Sequence, residues 1–184
     1  MMLRTALLRA PLASTRLARP TARTFHTTRP AFSGLTNLFE ASDNPPLSVD
    51  KLTNDGFLLS DGLVVPGGVI FADGRAFMWD VDPPHLEAGG TLEGAWKGWT
   101  KERFEVFERL VPRPEILVLG TGARVLPAPK FIRDYISSLG IQLDVMDTRN
   151  AASTYNLLSE EGRTISAALC PEKAVDSRTG LPRE

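Results

Sequence analysis

Gly120-Thr121-Gly122 with Arg124, and the later run Asp147-Thr148-Arg149-Asn150, are the residues of this chain whose types and order can do chemistry. Each group follows a short apolar run, and ligand clefts of α/β sheets lie outside the carboxyl ends of the strands. A glycine pair at such an end lets backbone amides and a helix N-terminus face a pyrophosphate, while an acid after the next strand takes a ribose. Two details count against a nucleotide here. The third glycine is replaced by Val125, and Leu126-Pro127-Ala128-Pro129 holds the next helix back to about Pro129, where proline suits the first helical position. The preferred reading is a tight strand-to-loop turn that requires glycine. For Arg124, Asp147, Thr148 and Arg149 two readings stand. They form a rim for a small anion or an acidic partner segment, or a structural network in which Asp147 caps the following helix or pairs with an arginine.

Other chemistry has little material. His26 and His85 are the two histidines, and Cys170 is the single cysteine, so neither a disulfide framework nor a zinc cluster is expected. Ser153 and Ser159 stand outside any G-x-S-x-G motif. Cys170 ends an apolar run with nothing nearby to activate it. Tyr155 reads as a core-edge aromatic. No cofactor is implied. Trp96 and Trp99 read equally as interface anchors and as core residues.

Positioning these residues needs a β-α-β-α-β unit. Ile116 to Leu119 is continuously apolar, as in strands buried on both faces. Phe131, Ile132, Tyr135, Ile136 and Leu139 repeat at helical spacing ahead of Gly140. Residues 141–146 return to strand, 151–158 to helix, and 163–169 to a last strand stopped by Pro171. Upstream, Asp55-Gly56, Asp61-Gly62 and Asp73-Gly74 punctuate apolar runs and predict a β-meander over 56–60, 63–65, 69–71 and 75–81, bent at Pro66-Gly67-Gly68. Phe77, Trp79 and Val81 should share a face. Residues 82–98 read as loop. Thr100 is placed to cap a helix over 101–110 that buries Phe104, Phe107 and Val111.

GTGAR at 120–124, MDT at 146–148, TYN at 154–156 and EGR at 161–163 together resemble a small α/β family. Its eukaryotic member is assembly factor three of mitochondrial NADH:ubiquinone oxidoreductase (complex I), and the resemblance spans roughly residues 49–171. It implies a three-layer α/β domain with a mixed central sheet, the β-α-β-α-β unit in its C-terminal half and the meander in its N-terminal half. It implies no established enzymatic activity. It further implies a matrix protein peripheral to the inner membrane, working on the quinone module of complex I alongside a second assembly factor. On that expectation the partner surface comprises Trp96, Trp99 and the rim of Arg124, Asp147, Thr148 and Arg149. The alternative is a small-anion or nucleotide-binding protein or enzyme using the cleft at Gly120, Arg124 and Asp147.

Charge is divided along the chain. Residues 1–39 carry six arginines and no acid, leaving 15 basic against 22 acidic residues from position 40 onward. An acidic body argues against general nucleic-acid binding. The Arg-rich, Ser/Thr-rich, acid-free start reads as a mitochondrial transit peptide over 1–32. Arg23-Thr24-Phe25-His26-Thr27-Thr28 resembles the two-step processing pattern, with a first cut before Phe25 and a trimmed start near Ser33. Residues 33–48 read as a flexible linker and 172–184 as a disordered tail. No apolar run approaches the ~20 residues that span a bilayer.

Overall fold

Short apolar runs broken by Asp-Gly turns make the first half of the fold strand. The computed structural model describes residues 46–87 and 90–183. It places there β1 (Val49–Thr53), β2 (Gly56–Leu59), β3 (Val64–Pro66), β4 (Gly68–Ala72) and β5 (Arg75–Trp79). After α1 (Leu92–Ala95) and a 3-10 helix (Lys101–Glu108) come β6 (Ile116–Gly120), α2 (Lys130–Ser138), β7 (Gln142–Met146), α3 (Thr148–Glu160) and β8 (Ile165–Leu169). The predicted transit peptide, its expected processing sites and most of the predicted linker lie outside the described residues.

The strands divide between two sheets. One is β1-β2-β3, antiparallel throughout; the other has the order β5-β4-β8-β6-β7. In the larger sheet β7, β6 and β8 run parallel, while β4 pairs antiparallel to β8 and β5 antiparallel to β4. The expected meander is therefore split. At Pro66-Gly67-Gly68 the chain leaves the small sheet and β4 takes β8 as its neighbour.

Three layers follow from two-residue alternation on strands buried on both faces. Leu117, Leu119, Ile70 and Ala72 point to one side, where Ile132 and Ile136 of α2 and Phe104 and Phe107 of the 3-10 helix cover them. Val118, Val69, Phe71 and Ala167 point to the other, against Ala151, Ala152 and Tyr155 of α3 and Phe57, Leu59 and Val65 of the small sheet. Each fully buried Phe or Leu contributes about 1.5–3 kcal/mol relative to exposure.

Several expectations are corrected. The predicted helix over 101–110 is a 3-10 helix ending at Glu108, so Phe104 and Phe107 are buried while Val111 is 89% exposed. Val111 lies beyond the end of this helix, so the period that buries Phe104 and Phe107 does not reach it. Pro129 is the N-cap of α2 rather than its first helical residue. α3 begins at Thr148, three residues earlier than predicted, because Asp147 caps it. Within the expected loop, α1 forms a single turn capped by Thr91, whose hydroxyl accepts from the Gly94 amide at 3.1 Å. Phe77 is half-exposed on the sheet edge while Trp79 and Val81 are buried.

Both ends of the predicted domain extend further than expected. Leu47 packs on the core, its carbonyl accepts the Tyr155 hydroxyl at 3.1 Å, and Asn156 pairs with both backbone groups of Val49. The segment after Pro171 is ordered through residue 183. Val175 is fully buried, Ser177 covers Gly67, and Arg183 pairs with Asp80 and, at 3.0 Å, with Asp82. One valine and one two-pronged arginine supply what a longer apolar stretch would. Arg183→Ala should loosen this strap at a cost of about 1 kcal/mol or less. Faster trypsin cleavage near Arg178 with little change in thermal midpoint is the expected readout; a collapse of global stability would contradict it.

Candidate functional site

The carboxyl ends of β6, β7 and β8 lie side by side, as the predicted cleft requires. What they do with their polar groups decides the chemistry. The Gly122 amide donates to Thr148 Oγ1 at 2.8 Å, and that hydroxyl donates to the Cys170 carbonyl at 2.8 Å. The Thr148 amide returns to the Gly122 carbonyl at 2.9 Å. The Thr121 amide donates to the Met146 carbonyl at 3.0 Å, and the Cys170 amide to the Gly120 carbonyl at 2.9 Å. Thr121 Oγ1 accepts from the Leu126 amide at 3.1 Å and lies 2.7 Å from the Arg124 carbonyl. The amides of Thr121 and Gly122, the first that a phosphate cradle would use, are thus spent on stitching three strand ends together.

Gly120 serves the same closure. A Cβ there would stand 2.9 Å from both Thr148 Cα and Oγ1 and 3.1 Å from Ala151 Cβ. The glycine lets α3 lie directly on β6, the helix-packing role of a glycine rather than the ligand role.

The remaining site residues do not converge. Asp147 accepts from the Asn150 amide at 3.0 Å and so caps α3, as the structural reading of the sequence has it. Thr148 is wholly buried and belongs to the stitch, not to a rim. Arg149 is exposed and reaches Glu172 at 3.8 Å, on the side of a hollow lined by Asp50, Ala152 and Asn156. Arg124 is exposed beside a different hollow of about 530 Å³ lined by Pro83, Pro84, Leu86 and Val125. Glu172 lies between the two arginines: it lines the Arg124 hollow and pairs with Arg149.

Trp96 and Trp99 are 3% and 8% exposed, so neither ring stands out at the surface as an interface anchor. They form an aromatic cluster with Trp79 and Phe104: Trp96 meets Trp99 edge-on at 4.8 Å, and Trp99 meets Trp79 at 5.5 Å. Two tryptophans three apart carry no periodicity that separates core from surface. Burial pushes the Cys170 thiol up, so it stays protonated. Burial likewise raises Tyr155, whose ring stacks on Phe71 at 4.6 Å. His85 is exposed after the Pro83-Pro84 pair and lines the Arg124 hollow.

The chain is matched among known proteins. Residues 49–170 match the family described as Protein of unknown function (DUF498/DUF598). The chain belongs to that family. Among curated relatives, NADH dehydrogenase [ubiquinone] 1 alpha subcomplex assembly factor 3 of Xenopus tropicalis is 33% identical over 128 residues, 69% of this chain and 62% of that protein. The human protein of the same name is 31% identical over 133 residues, 72% of this chain and 65% of its own length. The resemblance carried by the four sequence motifs is therefore present across the domain. The chain spans somewhat under two thirds of the length of these relatives. Among solved structures, a crystal structure of a Bordetella parapertussis protein superposes with a TM-score of 0.55 at 26% identity, covering 71% of this chain and 99% of that one. A Bordetella pertussis protein described as a Mth938-like domain superposes at 0.53 with 23% identity, over 74% of this chain and 93% of that one. This member of the family has the expected mixed α/β architecture. Among the described residues, no helix is long and apolar enough to cross a membrane.

Proposed function

We propose that this chain is a non-enzymatic assembly factor for mitochondrial complex I. It works in the matrix, peripheral to the inner membrane, and binds quinone-module intermediates together with a second assembly factor. The observation that carries the reading is the run of relatives named as complex I assembly factor 3, aligned over about 70% of this chain at 31–33% identity. The amides of Gly122 and Thr121 are already spent on neighbouring strand ends, which supports a binding rather than a nucleotide-handling role.

Deleting the gene and resolving mitochondrial membranes on native gels with an in-gel NADH dehydrogenase stain tests the proposal. Loss of assembled complex I with accumulated subassemblies, other respiratory complexes persisting, is expected. Unaltered complex I would sink it.

The exposed arginines are the next expectation. Arg124→Glu with Arg149→Glu should lower co-purification of complex I subunits. Both side chains are at the surface, so stability should move by no more than about 0.5 kcal/mol. Undiminished co-purification by the folded double variant would remove the rim from the partner surface.

A further inference from the structure

The hollow beside Arg124 has a continuation. Its walls are residues 83–86, Thr121, residues 123–126 and Glu172; a second hollow of about 490 Å³ is walled by Glu93, Trp96, Pro129 and Phe131. Both therefore lie between the same two stretches of chain. The His85 amide donates to the Ala95 carbonyl at 3.2 Å, which ties the wall of the first hollow to the turn that carries Trp96 in the wall of the second. The seam presents Leu86, Val125 and Phe131, which are 45%, 52% and 43% exposed, on an otherwise acidic body. Scattered apolar residues at a surface are ordinary; a line of them along one groove marks an interaction site.

Two polar features say what fits. Arg124 makes no salt bridge among the described residues; Lys130 and Glu172 pair with Asp134 and Arg149, and the acidic Glu93 stands at the far end of the seam, beside Trp96. The indole Nε1 of Trp96, in the wall of the second hollow, is buried with no hydrogen-bond partner. A buried N–H without an acceptor has lost its hydration for nothing, and such a group in a native fold asks for an explanation. An incoming backbone carbonyl would supply one once the indole or its cover shifts.

We infer that the seam from Pro83 to Phe131 is the docking groove for an apolar segment of a partner protein that carries an acidic residue. The carboxylate meets Arg124, the apolar side chains lie along Leu86, Val125 and Phe131, and a main-chain carbonyl accepts the Trp96 indole N–H. This rests on the assembly-factor reading for its setting, but the surface is argued from the chain's own residues.

Photo-crosslinking of the full chain imported into isolated mitochondria tests it, with benzoylphenylalanine at Leu86, at Phe131, or at Leu157 on α3 as the control. Protein adducts from the first two positions only are expected, mapping to an apolar stretch with an adjacent acid. Arg124→Glu should cut their yield about tenfold, and Trp96→Phe about threefold to tenfold, both with unchanged protease resistance. Adducts to lipid or to a second copy of the chain, or none above the Leu157 control, would overturn the groove. Equal yield from Trp96→Phe would overturn the indole contact. Protein adducts with complex I intact after gene deletion would sink the assembly role and leave the groove standing. Complex I lost on deletion, without adducts at Leu86 or Phe131, would do the reverse.

Discussion

Thr148→Val is expected to cost about 2–5 kcal/mol, since it strands two buried backbone groups at once. The replacement keeps the shape and β-branching of threonine, so packing against Gly120 survives. What disappears is one hydroxyl that accepts from the Gly122 amide and donates to the Cys170 carbonyl, both at 2.8 Å and both away from water. Each orphaned group costs about 1–3 kcal/mol in desolvation. Thr148→Ser keeps the hydroxyl and loses a methyl, so it should cost about 1 kcal/mol. Urea unfolding of the two variants separates the contributions. A Val variant as stable as the Ser variant would mean that the stitch contributes nothing and the strand ends are open to ligand.

Gly120→Val is the second large effect, at about 3 kcal/mol or more, the upper end of overpacking. The first added carbon already meets backbone, Thr148 Cα at 2.9 Å, rather than a flexible side-chain tip. Relief requires α3 to lift from β6, which uncovers its own Ala151 and Tyr155 and the sheet residues Val118 and Phe71 that they cover. A far lower thermal midpoint, with altered near-ultraviolet circular dichroism from the Tyr155–Phe71 stack, is expected. A near-neutral outcome would show that the glycine is there for a ligand and not for the helix.

The C-terminal half of the fold was legible because its signals are local. A continuous apolar run, a helical repeat ending at glycine, and an acid positioned to cap the next helix each state their structure within a few residues. The nucleotide reading was set aside on Val125 and the prolines; the hydrogen bonds of Thr121 and Gly122 supply the physical reason. The meander was half legible: its turns and strands stand close to where Asp-Gly pairs put them, but β4 departs to pair with β8, and no local pattern names so distant a neighbour. For Thr148 the sequence leaves open a rim or a structural network, because nothing local marks it as buried. Its burial follows from three carbonyl and amide partners that only the fold assembles. Trp96 and Trp99 gave no periodicity, and the strap after Pro171 rests on one valine and one arginine too sparse to register.

The antiparallel pairing of β4 with β8 has a consequence for synthesis. A ribosome releases β4 and β5 long before the strand that completes them, and non-local pairing is slow to form. Until β8 emerges, the half-sheet from Gly68 to Trp79 has one flank bare, and bare flanks invite aggregation. Because β8 sits in the middle of the five-stranded order, a premature stop upstream of Ile165 would remove the keystone, not the margin. Late nonsense alleles should therefore behave as complete losses, cleared by proteases, rather than as shortened proteins with residual activity.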